Sequence, residues 1–398
     1  MPGVFYRNLK NRMSKTVKIG FLFPYSSIHP TMSNDIMDGF YAAIPEAYRG
    51  NFQFIPEFVN LGGIEPVKAA INKLSMFHNV DVLSGFLSYQ LLPEIIPMIS
   101  KKNKLCFFFD MGEYLPPLYP LPEIIFFNSF QFWQLEYALG FWAQKKFGGK
   151  GAMFMSVYDA GYHIHSSFWQ GAIVAGAEEI DMHIVPYNPE ISDFKSNLPR
   201  FFDKIEKSGV DYLHTLFCGN EALDFFSFFK QSGLYKKIPL VVSPHMASDV
   251  VVSKICNLNI EFYSASGWSY RTNTNANKMF KQQFELFTGR KASVFAVMGY
   301  EMGLAFLPIM PQLQIGDTDS AIRFLKTYQI EGPRGKRNFW IDNKDEKPTI
   351  EIEKISLLPM NYTQLVVDQG TAMEYNHAVF EDIHSQCVSG WKNPYLCV

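Results

Sequence analysis

The stretch VDVLSGFLSYQLLPEIIPMISKKNKLCFFFDMG, residues 80–112, decides how this chain folds. Two short apolar runs, VDVLSG (80–85) and KLCFFFD (104–110), bracket an amphipathic segment of helical length at 89–102. A short apolar run bounded by turn residues predicts a strand buried on both faces, and strand, helix, strand in that order make a right-handed unit with parallel strands. The pattern continues outward in both directions. Strands are predicted at 17–23, 52–59, 80–85, 104–110, 124–129, 151–158, 179–187, 210–217, 238–244 and 260–268. Helices are predicted near 32–47, 64–78, 89–102, 131–147, 162–176, 191–208, 219–232, 273–288 and 293–311. Ten strands are more than an ordinary open sheet holds, so the expected fold class is α/β with two doubly wound parallel-sheet lobes.

Composition narrows the function. A chain of 398 residues, 47% hydrophobic and 19% charged, has material for two cores. Its formal charge of −2 supplies no basic field for a phosphate backbone, which argues against a nucleic-acid partner. No apolar run reaches the roughly 18 residues of a membrane span. Residues 1–15, MPGVFYRNLKNRMSK, are basic and lack the apolar core of an export signal. Two compartments therefore stay open: the cytoplasm for the sequence as written, or the periplasm for a chain whose signal lies upstream or has been removed. The five cysteines show no metal-ligand spacing. Cys387 and Cys397, in CVSGWKNPYLC, are placed for a local disulfide that would fit an oxidising compartment.

In open α/β sheets the ligand crevice lies beyond the carboxyl ends of the strands. Those ends carry Tyr25, Ser26 and Ser27 after the first strand, Phe86 and Ser88 after the third, and Asp110, Met111 and Gly112 after the fourth. In the second half they carry Tyr158 and Asp159, Cys218 and Gly219, and His245 and Met246. Each has a plainer reading as well: the serines, Asp110 and Asp159 as helix caps or turn residues, Cys218 as a small buried residue, and Trp268 as packing. His163 and His165, two apart, fall on different helical faces and make a poor metal pair. No nucleophile elbow, zinc helix motif or phosphate loop follows any strand, so neither catalysis nor a cofactor is expected. GFGGKGA (146–152) runs helix into strand, the reverse of a phosphate cradle, and reads as a helix cap.

Taken in order, IGFLFPYSS, the 80–112 unit, FNSFQFWQLEYALGFW, SVYDAGYHIHSSFWQGAIVAGAEEI, NANKMFKQQFELFTGRKASVFAVMGYEMG and EGPRGKRNFWIDNKDEKPTIEIEKI resemble the type I periplasmic solute-binding proteins, the branched-chain amino-acid binding family of ABC importers. Gly332, Gly335, Phe339, Asp342 and Asn343 match that family's C-terminal hairpin. The resemblance implies two lobes joined by three crossover strands, closing on a small ligand like a trap. It places one lobe at 16–128 plus 263–332 and the other at 129–262 plus 333–398. By position it carries ligand contacts onto Ser26, Ser27, Ser88, Asp110, Met111, Gly112, Tyr158, Cys218, Gly219, His245, Met246 and Trp268. It also implies an ABC permease as partner, or a regulatory protein if the chain resembles the cytoplasmic amidase regulator.

The sequence departs from the family where DMGEYLPP replaces the loop that holds an amino-acid carboxylate and where SPHMAS replaces a glutamate. An acid at position 110 disfavours a ligand carboxylate. With Tyr25, Phe86, Met111, Tyr158, Met246 and Trp268 near the crevice, the expected ligand is a small amino-acid-like, amide or aromatic molecule, larger and more apolar or aromatic than a simple amino acid, with a cation or amide paired to Asp110 or Asp159.

Overall fold

The computed structural model describes residues 15–185, 194–340, 347–386 and 391–396. Its first sheet holds β1 (Val17–Phe23), β2 (Phe52–Phe58), β3 (Val82–Phe86), β4 (Leu105–Asp110) and β5 (Ile125–Ser129), all parallel, in the order β2-β1-β3-β4-β5. β3, β4 and β5 are buried at every residue. Their apolar runs are continuous, not alternating, because helices cover both faces of a parallel sheet.

The second sheet takes β6 (Gly151–Ser156), β7 (Ile180–Val185), β8 (Tyr212–Leu216), β9 (Leu240–Val242) and β10 (Glu261–Ser266). A short hairpin of β11 (Ile330–Gly332) and β12 (Gly335–Arg337) stands apart from both sheets. Beyond it, β13 (Glu351–Leu358) and β14 (Asn361–Gln369) extend the second sheet as an antiparallel edge, giving β14-β13-β10-β9-β8-β6-β7. The strand order reverses beside β1 in one lobe and beside β6 in the other, and these two switch points face one crevice.

In each lobe a pair of helices meets at glycine. A Cβ at Gly39 would stand 2.2 Å from the Ala296 carbonyl oxygen, and one at Gly299 would stand 1.9 Å from that of Ile36, where Met32–Ala43 crosses Val294–Phe306. Gly140 and Gly171 do the same for Phe132–Phe147 against Ile164–Val174, each 2.1 Å from a facing carbonyl oxygen. Only glycine lets these backbones approach so closely.

Most predicted elements form, with shifts of a few residues. The helix expected at 293–311 ends at Phe306 and a second one runs Met310–Ile315, because Pro308 cannot supply a backbone donor between them. Helices at Asp249–Ile255, Thr318–Thr327 and His377–Gln386 were not anticipated. Of the hairpin motif, Gly332 and Gly335 turn β11 into β12, while Asp342 and Asn343 lie outside the described residues.

The first crossing between lobes follows β5. Phe132 and Trp133 donate their amides to the Met111 and Gly112 carbonyls at 2.9 Å, and Phe130 donates to Asp110 at 3.0 Å. Gly112, at φ +74°, lies so near the crossing that a Cβ would sit 2.3 Å from Gln131 Cα. The crossing is fixed by the buried Arg334 guanidinium, which bonds the Glu301 carboxylate, Asn128 Oδ1 and the Ser129 carbonyl.

Candidate functional site: the interlobe cleft

The loops after β4 and β6 meet across the cleft. The His163 amide donates to the Glu113 carbonyl at 3.0 Å, and the Leu115 amide donates to His163 Nδ1 at 3.1 Å. Between the two lobes runs Trp391–Leu396, which the chain brings back into the crevice at the strand ends. Tyr395, 2% exposed, is its centre. Its ring stacks on Tyr158 at 5.8 Å and 19°, its hydroxyl donates to Asp159 Oδ1 at 2.5 Å, and His245 Nε2 lies 3.0 Å from the same hydroxyl.

Three buried carboxyls lie at these strand ends and in the loops that follow them. Asp159 accepts from Ser156 Oγ at 2.6 Å, yet burial still pushes its pKa up to about 7. Asp110 accepts from Ser129 Oγ through one oxygen while Oδ2 has no hydrogen-bond partner. Burial raises its pKa against the pull of Ser129, Gly112, Tyr89 and Arg334. Glu113 is buried with both oxygens unbonded, and burial followed by the charge of Asp110 raises its pKa. The amides of Glu113, Tyr395 and Met111 lean toward it without completing a bond. His245 is held neutral, its pKa lowered by burial to about 3. The cleft thus offers carboxyls of raised pKa, a neutral imidazole and phenols.

The sequence-derived residues divide clearly. Ser26, Tyr158, Asp159, Cys218 and His245 converge on the tail: Ser26 Oγ donates to the Leu396 carbonyl at 2.8 Å, and Cys218 Sγ lies 3.1 Å from the Tyr395 hydroxyl. Asp110, Met111 and Gly112 form the loop beneath them, with Met111 buried. Gly219 opens its helix at φ +53°, where a Cβ would reach Ile28 at 3.6 Å. Tyr25 and Ser27 are exposed. Phe86 stacks on Phe109 inside the core, Ser88 caps the turn that follows it, and Met246 is core of the second lobe. Trp268 turns away from this group: its Nε1 donates to Asn277 Oδ1 at 2.8 Å and its ring packs on Phe280.

Cys218 is disulfide-bonded, whereas Cys106 and Cys256 are free. The pair Cys387 and Cys397, expected to bridge each other, lies outside the described residues. Asp159, Cys218 and His245 bring ligand-type atoms within 4.8 Å of one another, but a disulfide sulfur is not the thiolate a metal needs. A cavity of about 110 Å³ near the first crossing is lined by none of the fifteen sequence-derived residues. Sequence reasoning missed Glu113, Tyr114, Tyr162 and Tyr395. Glu113 and Tyr114 sat in the DMGEYLPP loop already singled out, and three residues past Asp110 was close enough to find them. Nothing local marks Tyr395, because its contacts span 236 positions.

The strand orders, the paired switch points and the crossing at Ser129–Phe132 now stand beside one further observation: residues 16–350 match the family model described as "Periplasmic binding protein". The chain belongs to the periplasmic binding protein family. The match runs from β1 through β12 and stops before β13, β14 and the tail. Among solved structures, the chain is similar to an ABC transporter substrate-binding protein from Sphaerobacter thermophilus, at 17% identity and a TM-score of 0.74, covering 90% of this chain and 99% of that one. It is also similar to a solute-binding protein of an ABC transporter from Rhodopseudomonas palustris BisB5 in complex with 3,4-dihydroxybenzoic acid (19% identity, TM-score 0.71, 91% and 99% covered). A third is the R. palustris HaA2 protein in complex with p-hydroxybenzoic acid (16%, 0.69, 90% and 98%). No curated protein matches the chain. No helix among the described residues is long and apolar enough to cross a membrane.

Proposed function

We propose that this periplasmic binding protein is the solute-binding component of an ABC importer, holding a small hydroxylated aromatic compound between its lobes and passing it to a permease. The observation that carries the reading is the cleft's own chemistry: a phenol is seated there, its ring on Tyr158 and its hydroxyl on Asp159. A stacked ring with one oriented hydroxyl is the pattern of an apolar pocket with few convergent polar groups. Buried carboxyls that hold their protons unusually well and a neutral His245 suit an uncharged phenol or amide head better than the charged ends of an amino acid. Two of the similar solved structures hold hydroxylated benzoic acids, which supports the same solute class. The disulfide-bonded Cys218 favours the oxidising, periplasmic alternative, and nothing observed favours the cytoplasmic regulator.

The test is thermal unfolding with 4-hydroxybenzoate, 3,4-dihydroxybenzoate, 4-hydroxybenzamide, benzoate and leucine. Ligand held only by the folded state stabilises by about 2.7 kcal/mol at a hundredfold excess over Kd. The expected result is a raised Tm with the hydroxylated aromatics and none with leucine. A shift with leucine alone overturns the reading.

A further inference from the structure

Trp391–Leu396 touches both lobes the way a bound solute does. From the first lobe, Ser26 Oγ holds the Leu396 carbonyl, the Tyr114 hydroxyl donates to the Trp391 carbonyl at 2.9 Å, and Pro394 fills the space a Cβ on Gly62 would take, 2.7 Å away. From the second lobe, Tyr158, Asp159 and His245 take the Tyr395 side chain. We propose that this tail is a tethered occupant of the solute cleft: Tyr395 stands in the place of the ligand's aromatic ring, and a solute enters only by displacing it. The inference rests on the cleft being the solute site, as proposed above.

Two observations separate this from a strap that merely packs. A packing strap buries apolar surface and keeps its polar atoms toward water. Tyr395 does the opposite, placing its hydroxyl on a buried carboxyl and beside a buried imidazole. Pro394, Tyr395 and Leu396 are buried, whereas Trp391 is 38% exposed and Lys392 pairs with Glu94 at the surface, so the tail runs from the surface inward at the cleft. A tethered competitor weakens a free ligand in proportion to the fraction of molecules whose cleft is open, since the apparent Kd is the intrinsic Kd divided by that fraction.

The experiment compares the wild type with Tyr395→Ala, and with Tyr395→Phe as a milder variant that keeps the ring. Each is titrated calorimetrically with 4-hydroxybenzoate and, separately, with the synthetic peptide WKNPYL, residues 391–396. The expected result is at least tenfold tighter 4-hydroxybenzoate binding by Tyr395→Ala, a smaller gain for Tyr395→Phe, and peptide binding by Tyr395→Ala but not by the wild type. Measurable but equal affinity of wild type and variants for 4-hydroxybenzoate overturns the occlusion and leaves the solute reading intact. Peptide binding to Tyr395→Ala with no aromatic acid bound by any form keeps the occlusion and removes the aromatic-solute reading. Fast amide exchange across 391–396 in the wild type overturns the proposal whether or not either variant folds.

Discussion

Buried acids in two regions of the molecule are treated in opposite ways. Glu301, at the crossing, is gripped by Arg334, whose remaining donors go to Asn128 and the Ser129 carbonyl; Asn128 in turn donates to the Met298 carbonyl at 2.9 Å. Asp110, Glu113 and Asp159, in the cleft, form no salt bridge among the described residues, and Asp110 and Glu113 keep unbonded oxygens. A buried charge that serves the fold is paired and its hydrogen bonds are completed. Buried acids left without a cation cost stability, and such groups concentrate where a ligand's chemistry is to be met. The difference sets the paired acid of the scaffold apart from the unpaired acids of the proposed site.

The comparison breaks most severely if the scaffold pair is cut. Arg334→Met strands the Glu301 carboxylate, and the expected loss is about 3–5 kcal/mol in urea unfolding. Adding Glu301→Leu to that variant should recover much of it, since a well-packed apolar pair replaces a buried ion pair at little cost. An unchanged unfolding midpoint for Arg334→Met would erase the distinction drawn here.

The buried acids of the cleft, together with Glu353 on β13, make a pH signature of their own. In the fold, Asp159 and Glu353 keep their protons up to about 7, and Asp110 and Glu113 are also raised, all chiefly by burial. Unfolded, the same groups release protons near 4, so their stabilising protonation is lost as pH rises through about 7. The buried histidines work the other way: His29 and His165 are lowered to about 4 and His245 to about 3, with His163 also lowered, so their contribution is lost as pH falls below 6.5. The two sets oppose each other below pH 6.5, and above it the acids act alone. Melting temperature should therefore fall between pH 6.5 and 8.5. Glu113→Gln should flatten that fall and gain about 1–3 kcal/mol at the alkaline end, by removing an ionisable group with no partner. A steeper fall in the variant would show that Glu113 is paired after all.

The smallest effect sharpens the boundary of the site. Trp268→Phe removes the bond to Asn277 Oδ1 and should cost about 1 kcal/mol of stability with no change in solute affinity. A matching loss of affinity would return Trp268 to the cleft, where the sequence pattern had put it.

The sequence determined the architecture. Strand-sized apolar runs such as LCFFFD and VLSGF can be stable only when buried on both faces, and their alternation with amphipathic helices leaves parallel sheets as the way to bury them. Position in that pattern also named Ser26, Tyr158, Asp159 and His245, which the fold brings together around the tail at the strand ends. What the tertiary structure alone decided is which side chains face one another across the cleft. Trp268 left for Asn277, Phe86 sank into the core, and Glu113 came in beside Asp110. Tyr395 arrived from 236 residues away to bond Asp159. Local propensity and periodicity report an element's own faces, whereas contacts of that separation depend on the path of the whole chain, and no local pattern records it.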